Sequence, residues 1–356
     1  MTARLRPPSP TPTDAPLSMT ARFARLRHAA QRRLTTTLAT GLVMGFVAGW
    51  LLPAASRAAD CPPVAQAPSA EQMRAGAREA RDRGLLWRFE KNGRVGWLYG
   101  TLHVGRLAWA FPGPVVTRAL RAADTVALEL DLSDPTIAQA MAQAIEGQRQ
   151  REASLPLPPA LRQRLQALAQ AGCLEAAQLA SQPLLIQAMA LNVLSARQEG
   201  LDPAFGQEFA LSGLARATGK TLVSMETPQS QLQALAGDSL DEFIAQMTET
   251  LDELETGKAR RLLGRVAGFW ERGDLDSLAR PERWCDCAVS ESAQAQMRRI
   301  NDARNPAMAA KIVGMHSQGR KVFAAVGALH MTGPQALPKL LEAQGFAVQR
   351  VPLGSP

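Results

Sequence analysis

The chain has 356 residues, 46% of them hydrophobic, enough for a leader plus one large domain or two small ones with a sizeable buried core. Its net charge of +8 is unevenly placed: residues 1–58 hold eight arginines against the single acid Asp14, a balance of +7 that leaves about +1 for everything after. A nearly neutral body, with no basic stripe interleaved with aromatics, argues against a nucleic-acid partner.

Residues 1–58 read as a targeting signal. Arg22, Arg25, Arg27, Arg32 and Arg33 form a basic region, and 37–55 is an uncharged apolar run of 19 residues. Ser56-Arg57-Ala58 then offers small residues at a signal-peptidase site. The run is also just long enough to span a bilayer. An uncleaved inner-membrane anchor facing the periplasm is therefore the competing expectation, weakened by Gly41, Gly45, Gly49 and Pro53. Asp60 stands before Cys61 where a lipoprotein needs a small residue. Both readings put the body outside the cytoplasm, periplasmic or secreted, touching the membrane at most through this segment.

Residues 59–84 read as a Pro/Ala linker and a short helix over 70–83. Apolar runs at 85–90 and 94–99 flank Asn92-Gly93, the strongest short-range hairpin signal. The second run leads straight into Gly100-Thr101-Leu102-His103. A helix is expected over 115–123 and a strand over 125–130, with Glu129 inside it. The Ala/Leu/Gln-rich stretch 135–199 is helical in period, broken at 155–159 and Pro183, and predicts a helical insertion over about 135–200. A helix over 205–218 ends at Gly219, and a strand at 221–225 delivers Glu226. Helices fill 230–273 and 288–318, and a strand at 321–326 delivers Gly327-Ala328-Leu329-His330. A helix at 335–344 and an edge strand at 347–351 complete the chain. Strands separated by helices predict an α/β domain over 85–356, a central mixed sheet flanked by helices.

The chemistry-bearing residues fall at strand ends, where open α/β sheets bind their ligands. His103, Glu129, Glu226 and His330 are therefore expected on one rim. Only three histidines follow the leader, and two have matched surroundings, Gly-Thr-Leu-His at 100–103 and Gly-Ala-Leu-His at 327–330. Glycine permits the sharp turn after a strand, and the imidazole three residues on points back over the strand end. His316, in a polar helical setting, is expected at the surface. Glu129 is either buried and paired, hydrogen-bonded or metal-bound, or turned to solvent by alternation, with Asp131 the competing acid. Glu226 either joins the rim or caps the helix that Thr227-Pro228 begins. Two histidines with one or two carboxylates match the ligands of a divalent ion such as zinc, manganese or cobalt. Such an ion would polarise a carbonyl and acidify bound water, with a second carboxylate as base. The same groups also suit metal-free acid–base chemistry.

All four cysteines (Cys61, Cys173, Cys285 and Cys287) follow the leader, and an even count in an exported chain predicts disulfides. A Cys285–Cys287 bridge closes a tight ring, so pairing of these two with Cys61 and Cys173 is the expectation. Zinc sites usually space their cysteines by two to four residues, wider than Cys285-Asp286-Cys287.

Five blocks in order resemble the TraB/GumN family: 86–105 ending in the first Gly-x-x-His turn; 127–130 with Glu129; Gly200-Leu201-Asp202, Gly219-Lys220 and Glu226-Thr227; Arg304-Asn305 with Met308-Ala309; and 322–333. The resemblance spans about 84–352. It implies a periplasmic, metal-dependent, peptidase-like hydrolase, because the Tiki proteins of the same superfamily are extracellular metalloproteases that use the two Gly-x-x-His motifs and acids. It carries over His103, Glu129 and His330 as metal ligands, and these three with Glu226 as catalytic candidates. It offers Arg304 and Asn305 as groups that hold a substrate carbonyl or carboxylate. Pro306 departs from the family pattern and fits a helix start. More distant relatives include haem-binding ChaN-like proteins and erythromycin esterase-like enzymes. The competing expectation is thus a non-catalytic haem- or peptide-binding envelope protein of the same fold; the chain has no Cys-x-x-Cys-His for covalent haem. A peptide or small molecule is the expected substrate.

Overall fold

The computed structural model describes residues 61–285 and 290–353. The leader, its cleavage site and Cys287 lie outside them. Helix α1 (Ala70–Arg78) starts with a capping box between Ser69 and Gln72. Strands β1 (Leu85–Lys91) and β2 (Arg94–Thr101) then form the expected hairpin. Asn92 and Gly93 take φ of 52° and 72°, the two left-handed residues that match a two-residue turn to twisted strands.

Next come α2 (Pro114–Ala122) and β3 (Thr125–Leu128). Asp82 anchors α2 by accepting from the free N–H groups of Val115 and Val116, each at 2.9 Å. Four helices follow: α3 (Pro135–Ala153), α4 (Pro159–Ala171), α5 (Ala176–Ala180) and α6 (Leu184–Ser195). Helix α7 (Gln207–Ala217) leads to β4 (Thr221–Ser224), and then to α8 (Pro228–Ala236), α9 (Leu240–Glu255), α10 (Lys258–Glu271) and α11 (Leu275–Ala279). Helix α12 (Glu291–Met297) runs through a π-type turn, Arg298–Asp302, toward α13 (Asn305–Ser317). Strand β5 (Val322–Gly327), α14 (Leu337–Ala343) and β6 (Ala347–Val351) complete the fold.

The six strands form one mixed sheet in the order β4-β3-β5-β2-β1-β6. Strands β2, β5, β3 and β4 are mutually parallel, and β1 is antiparallel to both its neighbours, β2 and β6. The strands β3 and β5 are buried on both faces, with Val126, Ala127, Phe323 and Ala324 fully covered, which explains their continuous apolar sequence. Four parallel strands therefore end at the same edge, and their last residues set the site.

A second apolar cluster lies among the helices. Leu161, Leu165 and Leu184 of the predicted insertion pack there with Leu232, Phe243, Met247 and Leu251 of α8 and α9. The helical core thus draws on two separate stretches of chain, because neither stripe can cover itself. Helix α10 belongs to the sheet instead: Trp270 is buried and its indole N–H donates to the Gly100 carbonyl at 2.7 Å, bracing the first Gly-x-x-His turn. No helix among the described residues is long and apolar enough to cross a membrane.

Two expectations are corrected. His316 is buried, not at the surface: its Nε2 lies 3.1 Å from the Arg94 carbonyl and its ring meets Phe346 edge-on at 4.8 Å. Cys61 and Cys173 pair with each other rather than with Cys285 and Cys287, their Cα atoms 5.8 Å apart. Cys285 is also disulfide-bonded.

Candidate active site

The parallel strand ends bring the predicted residues to one edge. Strand β2 ends two residues before His103, and β3 one residue before Glu129. Strand β4 ends two residues before Glu226, and β5 runs into a single 3-10 turn, Ala328–Met331, that carries His330. The Glu226 N–H donates to the Glu129 carbonyl at 3.0 Å, so the two acids leave their strands still paired through backbone. Neither acid is turned to solvent: Glu129 and Glu226 keep 6% and 8% of their side-chain exposure. The cap of α8 is made by Thr227 and Ser230, which frees the Glu226 carboxylate for the rim.

Two buried carboxylates on one rim repel each other unless a cation joins them. Arg304, at the N-terminal cap of α13, is that cation. Its Nε donates to Glu226 Oε1 at 2.9 Å and its Nη2 to Glu226 Oε2, a two-point grip on one carboxylate. The same Nη2 donates to Glu129 Oε2 at 2.5 Å, and Nη1 goes to the Ile300 carbonyl at 2.8 Å. Gln231 on α8 adds a shared donor, its Nε2 lying 3.1 Å from one oxygen of each glutamate. Glu129 Oε1 accepts from the Gly327 N–H at 2.8 Å and faces His330 Nε2 at 3.6 Å.

Both Gly-x-x-His rings are held through Nδ1. The Asn305 amide donates to the carbonyls of His330 and Gln335 at 3.3 and 2.8 Å, which fixes its orientation and leaves Oδ1 to accept from His330 Nδ1 at 2.6 Å. Asn305 is fully buried. In the neutral ring, Nε2 is then the atom with the lone pair. His103 Nδ1 lies 3.1 Å from Glu208 Oε1, which also accepts from the Thr101 hydroxyl at 2.6 Å. Gln207 beside it accepts from the Leu102 N–H at 2.6 Å and gives its own N–H to the Leu102 carbonyl at 3.2 Å, clamping the turn. The turn continues through Gly105, where a Cβ would sit 2.4 Å from the Phe205 carbonyl oxygen; only glycine allows that approach.

The two histidines are tuned in opposite directions. The Glu208 carboxylate pushes His103 up to about 9, against the cost of burial, although the side chain is 53% exposed. Burial pushes His330 down to about 4, against the attraction of Glu129. Burial alone would raise the Glu129 carboxyl, but the positive charges of His330, His103 and Arg304 and the Gly327 N–H bring it down to about 2. With His330 neutral at pH 7, Arg304 and His103 are the cations that keep Glu129 ionised. These mutual influences tie His103, Glu129, Arg304 and His330 into one electrostatic unit. In chelator-treated protein, Glu208→Gln is expected to lower the His103 pKa from about 9 toward the ordinary value of ~6.5. NMR titration of the ring proton reads this directly, and an unshifted titration would refute the pairing.

Sequence reasoning missed Glu208, Gln207 and Gln231. Glu208 lies in the first turn of α7, where an acid has an ordinary reason to sit. Asp131, the competing acid, is buried with other partners: its carboxylate accepts from Arg216 at 2.8 Å and from the Ser133 hydroxyl. Among the described residues no three His, Cys, Asp or Glu side chains converge at metal-ligand spacing. A cleft of about 440 Å³ opens beside the first turn, between Arg106 and the face of α10.

The TraB/PrgY/gumN family model matches residues 85–350, which takes in His103, Glu129, Glu226, Arg304 and His330 and all of the sheet but Val351. No curated protein and no solved structure matches.

Proposed function

The chain belongs to the TraB/PrgY/gumN family, and from that premise we propose that it is an exported, metal-dependent hydrolase of peptide bonds. One observation carries the reading: both Gly-x-x-His rings are held through Nδ1, by Glu208 and by Asn305, so that Nε2 of His330, and Nε2 of His103 once it gives up its proton, are left to bind. Metal-ligating histidines are held in this way, with the second nitrogen fixed by a carboxylate or amide oxygen.

Two of the groups a divalent cation would need already face each other. His330 Nε2 and Glu129 Oε1 are two acceptors facing each other at 3.6 Å. Ligand bonds of ~2.1 Å bring two donor atoms roughly 3–4 Å apart around one ion. Arg304 and Gln231 use only Glu129 Oε2, so Oε1 can serve as ligand without breaking the arginine pair. His103, half-exposed at the rim, would be the third ligand through Nε2 once its ring closes on the other two. Such an ion, when bound, supplies a polarised carbonyl and an acidified water.

The other groups act around it. Glu208 holds the His103 ring, and Asn305, itself buried, fixes the His330 tautomer. Glu226 holds Arg304, which neutralises the second carboxylate and keeps Glu129 ionised for binding. Export rests on the arginine-rich leader and the apolar run at 37–55.

Protein exported to an oxidising compartment, stripped with chelator and reloaded separately with zinc, manganese and cobalt, should bind one equivalent of one of them and cleave unstructured peptides. His103→Ala and His330→Ala should lose the ion and the cleavage, and Asn305→Ala should weaken metal affinity by about 10–100-fold. Wild-type protein that takes up no ion, or peptide cleavage that persists in both histidine variants, would overturn the reading.

A further inference from the structure

The sequence after the leader is close to neutral, yet the cleft that begins at Arg106, three residues after His103, is lined by four arginines. Arg261, Arg265 and Arg272 come from α10, and Arg106 from the loop that follows His103. The cleft's volume of about 440 Å³ falls within the ~300–1,000 Å³ usual for ligand sites. Gly264 and Gly268 line it, although glycine is a poor helix former. A Cβ at 264 would approach Glu199 Cγ at 3.3 Å, and one at 268 would approach Arg272 Nη1 at 3.3 Å, so both would narrow the opening.

Three of the four arginines are held in place without an ion pair. Arg106 is the exception: it lies over Trp109 at 5.2 Å and pairs with Glu271 at 3.5 Å, a glutamate that also accepts from the Trp109 indole at 3.1 Å. Arg261 donates to the Thr256 carbonyl at 3.1 Å, Arg265 to the Trp284 carbonyl, and Arg272 lies over Phe269 at 5.6 Å. Among the described residues none of these three is within ion-pair distance of a carboxylate. Each is exposed and keeps donors for a ligand. The cleft also adjoins the candidate active site: Gly105 pairs through backbone with Asp202, and Leu201 before it lines the cleft wall.

We propose that this cleft binds the acidic stretch of a peptide, so that carboxylate side chains engage Arg106, Arg261, Arg265 and Arg272 while the neighbouring backbone reaches His103. The substrate preference rests on the hydrolase reading above; the binding itself does not. A peptide fits better than a continuous polyanion because Glu199 and Glu271 also line the cleft. Both carboxylates repel unbroken negative charge and would accept the N–H groups of a peptide backbone. Arginine forks match separate carboxylates at two points.

The test uses the full chain carrying His330→Ala, so that no turnover interferes, and a fluorescent, end-blocked peptide of alternating Glu and Ala. The Glu peptide should bind at least tenfold more tightly than its Gln counterpart, and more weakly as ionic strength rises. Arg261→Glu with Arg265→Glu should abolish that preference, while Arg74→Glu with Arg78→Glu on α1 leaves it intact. Equal binding of the two peptides, binding that survives the double substitution on α10, or tighter binding of a single-stranded oligonucleotide of the same charge would each overturn the proposal. In wild-type protein, binding with no hydrolysis of the Glu peptide or any other refutes the hydrolase reading and leaves the cleft assignment standing.

Discussion

Arg304→Met is expected to destabilise the chelator-treated protein by about 3–5 kcal/mol at neutral pH, the range for removing one partner of a buried ion pair. The effect is large because one guanidinium serves two carboxylates. Glu129 and Glu226 would be left buried side by side, with Gln231 as the only shared donor, and at least one of them must take up a proton. In a domain of this size the loss amounts to roughly 10 °C in Tm. The pH dependence separates this cause from lost packing. In the wild type, Glu129 is depressed to about 2. Its contribution is therefore present above the unfolded value of ~4.3 and is lost as pH falls toward 2. In the variant Glu129 loses the guanidinium while burial still works to raise its carboxyl, so the destabilisation should ease as pH falls from 7 toward 5 and a proton relieves the repulsion. Urea unfolding of both proteins at pH 7, 6 and 5 should thus show the gap narrowing. A gap that stays constant, or one below about 1 kcal/mol at pH 7, would mean that Arg304 does not neutralise this pair.

The rim was legible in the sequence because its signals are local. Short apolar strands ended by Gly-x-x-His, and acids one or two residues past other strands, needed only the rule that parallel strands share a carboxyl edge. The hairpin at Asn92-Gly93 was legible for the same reason. What stayed hidden depends on contacts far apart in sequence. Arg304 is 175 residues from Glu129 and 78 from Glu226, and no periodicity links them. The resemblance singled out Arg304 without telling that its donors are taken by the protein's own carboxylates. His316 looked polar in its helix, but the Arg94 carbonyl from the hairpin satisfies its ring. Cys61 and Cys173 could not be paired from spacing, because four cysteines allow three connectivities and only the packing of the N-terminal segment on the helices decides.

That disulfide carries the second large effect. Cys61 and Cys173 are 112 residues apart, so the bridge closes a long loop that takes in the hairpin, β3 and the first two helices of the helical core. In the chain-entropy account, a loop of about 100 residues removes nearly 5 kcal/mol of freedom from the unfolded state. Cys61→Ser with Cys173→Ser is accordingly expected to cost about 4–5 kcal/mol by urea unfolding, with Cys285 left untouched. The folded site should barely notice. Beyond the bridge, the N-terminal segment is tied by the Ala65 N–H donating to Asp202 Oδ2 at 3.3 Å, and that carboxylate keeps its buried partner Arg197 at 2.7 Å without it. Asp202 also holds Gly105 through backbone alone, so the His103 turn retains its support. The expected signature is therefore a large fall in the unfolding midpoint with unchanged titration of His103. If stability is unaltered, the bridge does not form in the folded protein. If stability falls and the His103 titration shifts with it, the N-terminal segment braces the site and the Asp202–Gly105 pairing does not suffice.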